Sequence, residues 1–350
     1  MRNTRFLVIA IAVGFFVSQG CDRQPGAAQA IDSRKLAMFA PLPAVLPVRP
    51  GTPTEARITL GRMLFYEPRL SKSQTISCNT CHKLMNYGID EEPTSTGHKG
   101  QRGDRNSPTV YNAALHFAQF WDGRAADVEE QAKGPVLNPV EMAMPSAVRA
   151  IAVLKSIPEY VEAFQHAFPN QKDPVTFDNM ASAIGAFERR LLTPSPWDRF
   201  LKGDEAALTA EQKAGFNTFV AAGCQTCHAG ALLGGNLYQK LGATKPYPDA
   251  ADPGRYKVTQ NESDRMVFKV PSLRNVAKTA PYFHNGRVPV LGQAVSQMAE
   301  YQLGRQLTNE EVRSIVAWLG SLTGEIPAGY IKEPPLPKST AKTPRPDATD

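Results

Sequence analysis

The sequence predicts a mainly α-helical protein built from two related modules that arose by internal duplication. Three observations carry this. The pattern Cys-x-x-Cys-His occurs twice, at Cys78–His82 and Cys224–His228, each time with Thr third, and the copies are 146 residues apart. The stretches PTVYNAALHFAQFWDGR, from Pro108, and PSLRNVAKTAPYFHNGR, from Pro271, share residues at identical offsets: Asn112 with Asn275, Phe120 with Phe283, Gly123 with Gly286, Arg124 with Arg287. Upstream, Gly61-x-x-x-Phe65 precedes the first Cys pattern and Gly215-x-x-x-Phe219 the second, so one unit is repeated.

Along the chain, residues 1–20 read as an export signal. Arg2 and Arg5 are their only charges, and the apolar run FLVIAIAVGFFV is too short to span a bilayer. SQGC then places Cys21 as the acylated first residue of a mature lipoprotein, and Asp22 resembles an inner-membrane retention signal. An ordinary secretory signal is the alternative. Both predict a periplasmic protein, the first with a lipid anchor to the inner membrane. Residues 21–53 hold six prolines and read as a linker or arm. The modules are expected at 54–200 and 201–330. EPPLPKSTAKTPRPDATD, within 331–350, has the composition of a disordered tail.

Helix signals lie inside the modules. TAEQ at 209–212 and TNEE at 308–311 are capping boxes. Val312, Ile315, Val316 and Leu319 follow helical spacing, as do Met180, Ile184, Phe187 and Leu191. Strand-like alternation is scarce. The formal net charge of +6 includes both leader arginines. No basic block with interleaved aromatics appears, which argues against nucleic acid as a partner. After residue 20, no stretch is long and apolar enough to cross a membrane.

The repeated Cys pattern is the attachment signature of c-type haem. Two thiols add across the vinyl groups, and the adjacent imidazole binds iron axially. A zinc site does not require His directly after each Cys pair, and covalent haem uses up all four thiols, leaving none for disulfides. Each module is therefore predicted to be a cytochrome c-like haem domain, held by Cys78, Cys81 and His82 or by Cys224, Cys227 and His228. The sixth iron position stays open at this level. Met266 and Met298 are candidates for the second haem; His98, His116, Met142 and Met144 are candidates for the first. Trp121 stands where the other copy has His284.

LGRMLFYEPRLSKSQTISCNTCH, STGHKGQRGDRNSPTVYNAAL, FWDGRAADVEEQAKGPVLNPVEM and PYFHNGR followed by LGQAVSQMAEYQLG resemble the bacterial di-haem cytochrome c peroxidases, from about Thr54 to Leu322. The resemblance implies a peroxidatic first haem and an electron-storing second haem. It makes His98, sixteen residues after His82, a removable distal ligand of the first iron, on a glycine-flanked loop that can move. It gives Glu141 the acid–base role in peroxide cleavage and Gln131 the positioning of peroxide. It places Trp121 between the haems and Met298 on the second iron. It implies a Ca²⁺ ion held by Asn106 and by the carbonyls of Thr279 and Pro281. The implied reaction reduces hydrogen peroxide to water with electrons from a small periplasmic cytochrome c or cupredoxin. Relatives are often homodimers.

Two other readings compete. MauG-like enzymes use a similar haem pair to oxidise a partner protein, but carry Tyr where Met298 stands. A non-catalytic electron-transfer cytochrome needs neither Glu141 nor a mobile His98, and Met142 is spaced as an ordinary ligand for its first haem.

Overall fold

A computed structural model describes residues 31–43, 46 and 54–347. The leader, Cys21 and most of the proline-rich arm lie outside the described residues. The fold is mainly helical, and among the described residues the one sheet has two strands.

The N-terminal module is built on helices α1 (Glu55–Phe65), α2 (Val128–Leu137), α3 (Ala147–Lys155), α4 (Pro158–Ala167) and α5 (Phe177–Glu188). Thr54, Asp127, Ser146 and Thr176 cap α1, α2, α3 and α5 by accepting backbone N–H groups of the first turn. The expected stripe Met180, Ile184, Phe187 and Leu191 is wholly buried, in one core with Leu60, Leu64 and Phe164.

The C-terminal module uses α6 (Pro196–Leu201), α7 (Ala210–Ala222), α8 (Leu291–Leu303) and α9 (Asn309–Gly320). Both expected capping boxes form: Thr209 with Gln212, and Thr308 with Glu311. Ile315 and Leu319 are buried, whereas Val312 and Val316 are half-buried. The core centres on Trp197, Phe216 and Trp318. Its strands, β1 (Tyr238–Lys240) and β2 (Val267–Lys269), pair antiparallel, and Lys269 N–H donates to Trp121 O of the other module at 2.8 Å.

The two modules repeat one packing detail. A side chain at Gly61 would meet Ala183 O at 1.8 Å, and one at Gly215 would meet Ser314 O at 1.9 Å. Each glycine lets its helix touch the backbone of the helix it crosses, α1 on α5 and α7 on α9. The repeated asparagines behave alike too. Asn112 and Asn275 both adopt φ of 61° and both donate to Thr193 Oγ1, at 2.8 and 2.9 Å.

Three segments pack across the expected boundaries. The division at 200/201 cuts α6, whose Trp197 and Phe200 pack in the C-terminal core. Part of the arm is anchored there as well: Phe39 packs edge-on against Trp197 and Phe216. The C-terminal segment, expected to be disordered, returns to the N-terminal module. Tyr330 stacks on Phe187, Arg69 donates to Pro337 O, Gln74 to Pro344 O, and Thr340 to Ser156 O. Its composition is poor in apolar groups, but proline limits the freedom it loses on docking, and the docked contacts are mainly polar.

Candidate functional site

The first Cys pattern forms a single helical turn, Cys78–Cys81. Ser77 and Thr80 cap it reciprocally, and His82 N–H closes it onto Cys78 O at 2.9 Å. This turn places both sulfurs and the imidazole on one cavity. Its volume is about 460 Å³, and it is lined by Cys78, Cys81, His82, Trp121, Gln131 and Glu141 among others. His82 Nδ1 lies 3.4 Å from Gly88 O, which favours the tautomer that leaves Nε2 free to bind metal. Burial holds this imidazole below its usual range, so it is neutral, as a ligand must be. Burial also raises both thiols, Cys81 to about 11.

The second pattern follows α7, which ends at Gly223 with φ of 98°. His228 Nδ1 lies 3.0 Å from Leu233 O, again leaving Nε2. Burial lowers this imidazole as well. Among the described residues, the four cysteines of the two patterns form no disulfide. Paired thiols, each pair followed by a half-buried neutral imidazole with one nitrogen beside a carbonyl oxygen, fit c-type haem at both sites.

Glu141 sits where the chain folds back on the end of α2. Met142 N–H donates to Pro135 O, and Ala143 N–H to Asn138 O. Asn138 Nδ2 donates to Glu141 Oε1 at 2.8 Å. Burial raises the Glu141 carboxyl above its ordinary value, opposed by the nearby Arg124 guanidinium and by Asn138. The geometry gives a carboxyl held at one oxygen, with its proton affinity lifted toward the range useful for acid–base work.

His98 is buried but does not line the cavity. Its N–H donates to Val140 O at 3.0 Å and Glu141 O at 2.8 Å, and its buried Nδ1 has no partner among the described residues. A side chain at Gly97 would meet Val140 O at 2.0 Å, so the loop lies directly on the Glu141 segment.

The other candidate ligands separate. Met142 lines the cavity; Met144 packs in the N-terminal core. His116 faces Lys269 of the second module. Met266 is buried beside β2, its N–H bonded to Pro253 O. Met298 is half-buried on α8. Trp121 donates from Nε1 to Asn106 O at 2.8 Å. Asn106 N–H donates to His284 O at 2.7 Å, which brings Asn106 to the strap that follows Thr279 and Pro281.

Three cavity residues escaped the sequence reading. Asn138 opens the NPVEM stretch, and Arg124 closes the Gly-Arg pair that the two copies share, so both had a signal. Glu188 had none. It ends α5, lines the cavity, and is pushed up to about 8 by burial and by neighbouring Glu129.

Residues 55–206 match the family model for di-haem cytochrome c peroxidase. The chain is 50% identical over 327 residues to cytochrome c551 peroxidase of Pseudomonas aeruginosa, covering 91% of this chain and 93% of that one. It is 33% identical to the methylamine utilization protein MauG of Methylorubrum extorquens, over 81% of this chain and 82% of that one. Among solved structures, a MauG-like protein associated with microbial copper homeostasis superposes with a TM-score of 0.73 at 26% identity, over 84% of this chain and 98% of that one.

Proposed function

The chain belongs to the di-haem cytochrome c peroxidase family, and on that premise we propose that it reduces hydrogen peroxide to two waters, taking two electrons from a small cytochrome c or cupredoxin and two protons from solvent. The observation that carries this is the convergence of Cys78, Cys81, His82, Gln131 and Glu141 on one cavity. When bound, the first haem supplies an iron for O–O cleavage and the second an electron store. Steady-state peroxide consumption with a reduced cytochrome tests the reading; a pure electron-transfer protein would show none.

Glu141 takes a proton from the inner peroxide oxygen and returns it to the outer one, which leaves as water. Asn138 fixes Oε1, so Oε2 is the oxygen that serves in both directions. Gln131 presents an amide to the same space and orients peroxide. Arg124, 3.4 Å over the Phe120 ring, adds positive charge that keeps Glu141 ionised between turnovers. His82 and His228 would bind the two haem irons through Nε2. Met298 would supply a thioether to the second haem, which would keep its potential high.

His98 is the removable cap of the first site. What supports this is its loop: the same backbone that carries His98 is bonded to Val140 and Glu141, so a swing of the loop also shifts the acid–base residue. The two modules arose by duplication, a reading supported by the matched roles of Gly61 and Gly215 and of Asn112 and Asn275. Asn106, with the backbone carbonyls of Thr279 and Pro281, would hold a Ca²⁺ ion near the module junction. The protein works in the periplasm, tethered through a lipid on Cys21, and pairs as a homodimer.

A further inference from the structure

A basic pair between the modules, Lys269 buried and His116 half-buried, has no task in the reading above. Lys269 ends β2 and is 6% exposed. Its Nζ lies 2.6 Å from His116 Nδ1. Among the described residues, no acidic side chain pairs with it, and burial alone pulls its ammonium down to about 7. Burial, then the lysine, hold His116 well below its usual range, so the ring is neutral. Since Nδ1 accepts from Lys269, the ring proton is on Nε2. That nitrogen is buried without a partner. The pair therefore presents Nε2–H and the remaining Nζ hydrogens, all donors and no acceptor. A buried donor left unmet is costly, and a carboxylate is its natural complement.

The surroundings say which carboxylate. A side chain at Gly235 would lie 3.2 Å from His116 Nε2, and Phe117 N–H donates to Gly235 O at 3.0 Å. Gly235 is two residues beyond Leu233, whose carbonyl anchors His228. On the other side, Lys269 pairs with Tyr238, and the next residue, Gln239, reaches Cys227 Sγ at 4.0 Å. The pair thus lies between the loop that fixes the second imidazole and the strand beside the second thiol.

We propose that Lys269 and His116 form a carboxylate-binding pair that receives a propionate of the haem carried on Cys224 and Cys227, orienting that haem and holding its potential up. The inference rests on the two-haem reading. His116, offered by the sequence as an iron ligand, becomes a positioning residue instead. Because it belongs to the first module and Lys269 to the second, the second haem's propionate would also fasten the modules together.

The test is a spectroelectrochemical titration of the holoprotein with Lys269→Met, beside resonance Raman of the propionate bending band. Thioether attachment keeps the haem count at two, checked by mass. The expected result is a lower midpoint potential for the second haem only, because loss of a nearby cation favours the oxidised iron. Its propionate band shifts in Lys269→Met and in His116→Leu, and Lys269→Arg restores most of the potential. Two haems with potentials and bands as in the wild type would overturn the proposal, as would an equal fall in both haems. If Lys269→Met does not accumulate, Lys269→Gln gives the same decision. A wild-type mass with one haem would remove the two-haem reading itself, which separates the two failures.

Discussion

Trp121 and His284, which stand at the same place in the two copies of the repeat, meet edge to face across the module junction, with ring centroids 6.5 Å apart. His284 stacks in turn on Phe268, at 4.5 Å, and Trp121 is tied through Nε1 to Asn106 O. One position at which the copies differ is therefore also one at which they touch. Trp121→Phe keeps an aromatic edge but leaves Asn106 O without its donor. The expected loss is about 1 kcal/mol of stability, read by chemical denaturation, together with slower electron transfer between the haems in stopped-flow traces. Unchanged transfer would make Trp121 a packing residue only.

Thr193 is a second meeting point, since Asn112 and Asn275 donate to the same hydroxyl. It is fully buried. Thr193→Val keeps the volume and strands two amide N–H groups, for an expected loss of about 2–4 kcal/mol. Thr193→Ser keeps the acceptor and should fall well short of that. Equal denaturation midpoints for Val and Ser would show that the shared hydroxyl contributes little.

Much of this was legible in advance, for a physical reason. Covalent haem attachment demands fixed residues at fixed spacing, so Cys78 to His82 and Cys224 to His228 announce themselves. Capping boxes are equally local, and Thr209 and Thr308 act as read. What sequence could not carry was long-range. The polar tail docks because Arg69, Gln74 and Ser156 meet it in space, and no local pattern encodes that. Lys269 and His116 are 153 residues apart. Asn138 was within a quoted motif, yet its bond to Glu141 depends on how the chain folds back after Pro135.

Glu141→Gln should retain both haem spectra while peroxide turnover falls by roughly 10²–10⁴, the range for loss of a positioned acid–base group. The pH profile gives an independent check. Burial raises the Glu141 carboxyl, and the base form is the one that accepts a proton. Activity should therefore fail on the acid side as pH drops through a value above that of an ordinary glutamate, about 4.3. Arg124→Leu removes an opposing positive charge, so the acid limb should move to still higher pH. A limb that stays put would detach Arg124 from the carboxyl.

His98→Gly tests whether the loop is a gate. In the described arrangement His98 stands off the cavity, and its N–H is bonded to Val140 and Glu141 carbonyls. Those are backbone bonds, so the substitution can keep them while removing the imidazole. If His98 caps the first iron in the oxidised protein, cap and peroxide compete for one position, and the oxidised wild type reacts slowly until an electron enters the second haem. The required bias is small, because about 1.4 kcal/mol changes a ratio tenfold. The variant should show a high-spin first haem without prior reduction, and its oxidised form should consume the first equivalent of peroxide promptly in single-turnover mixing. Steady-state turnover need not rise, since Gly97 and His98 also hold the Glu141 segment in place. The opposite result is equally readable. A wild type already high-spin when oxidised, with a variant of identical single-turnover rate, would leave His98 a buried loop residue and move control of the first site elsewhere.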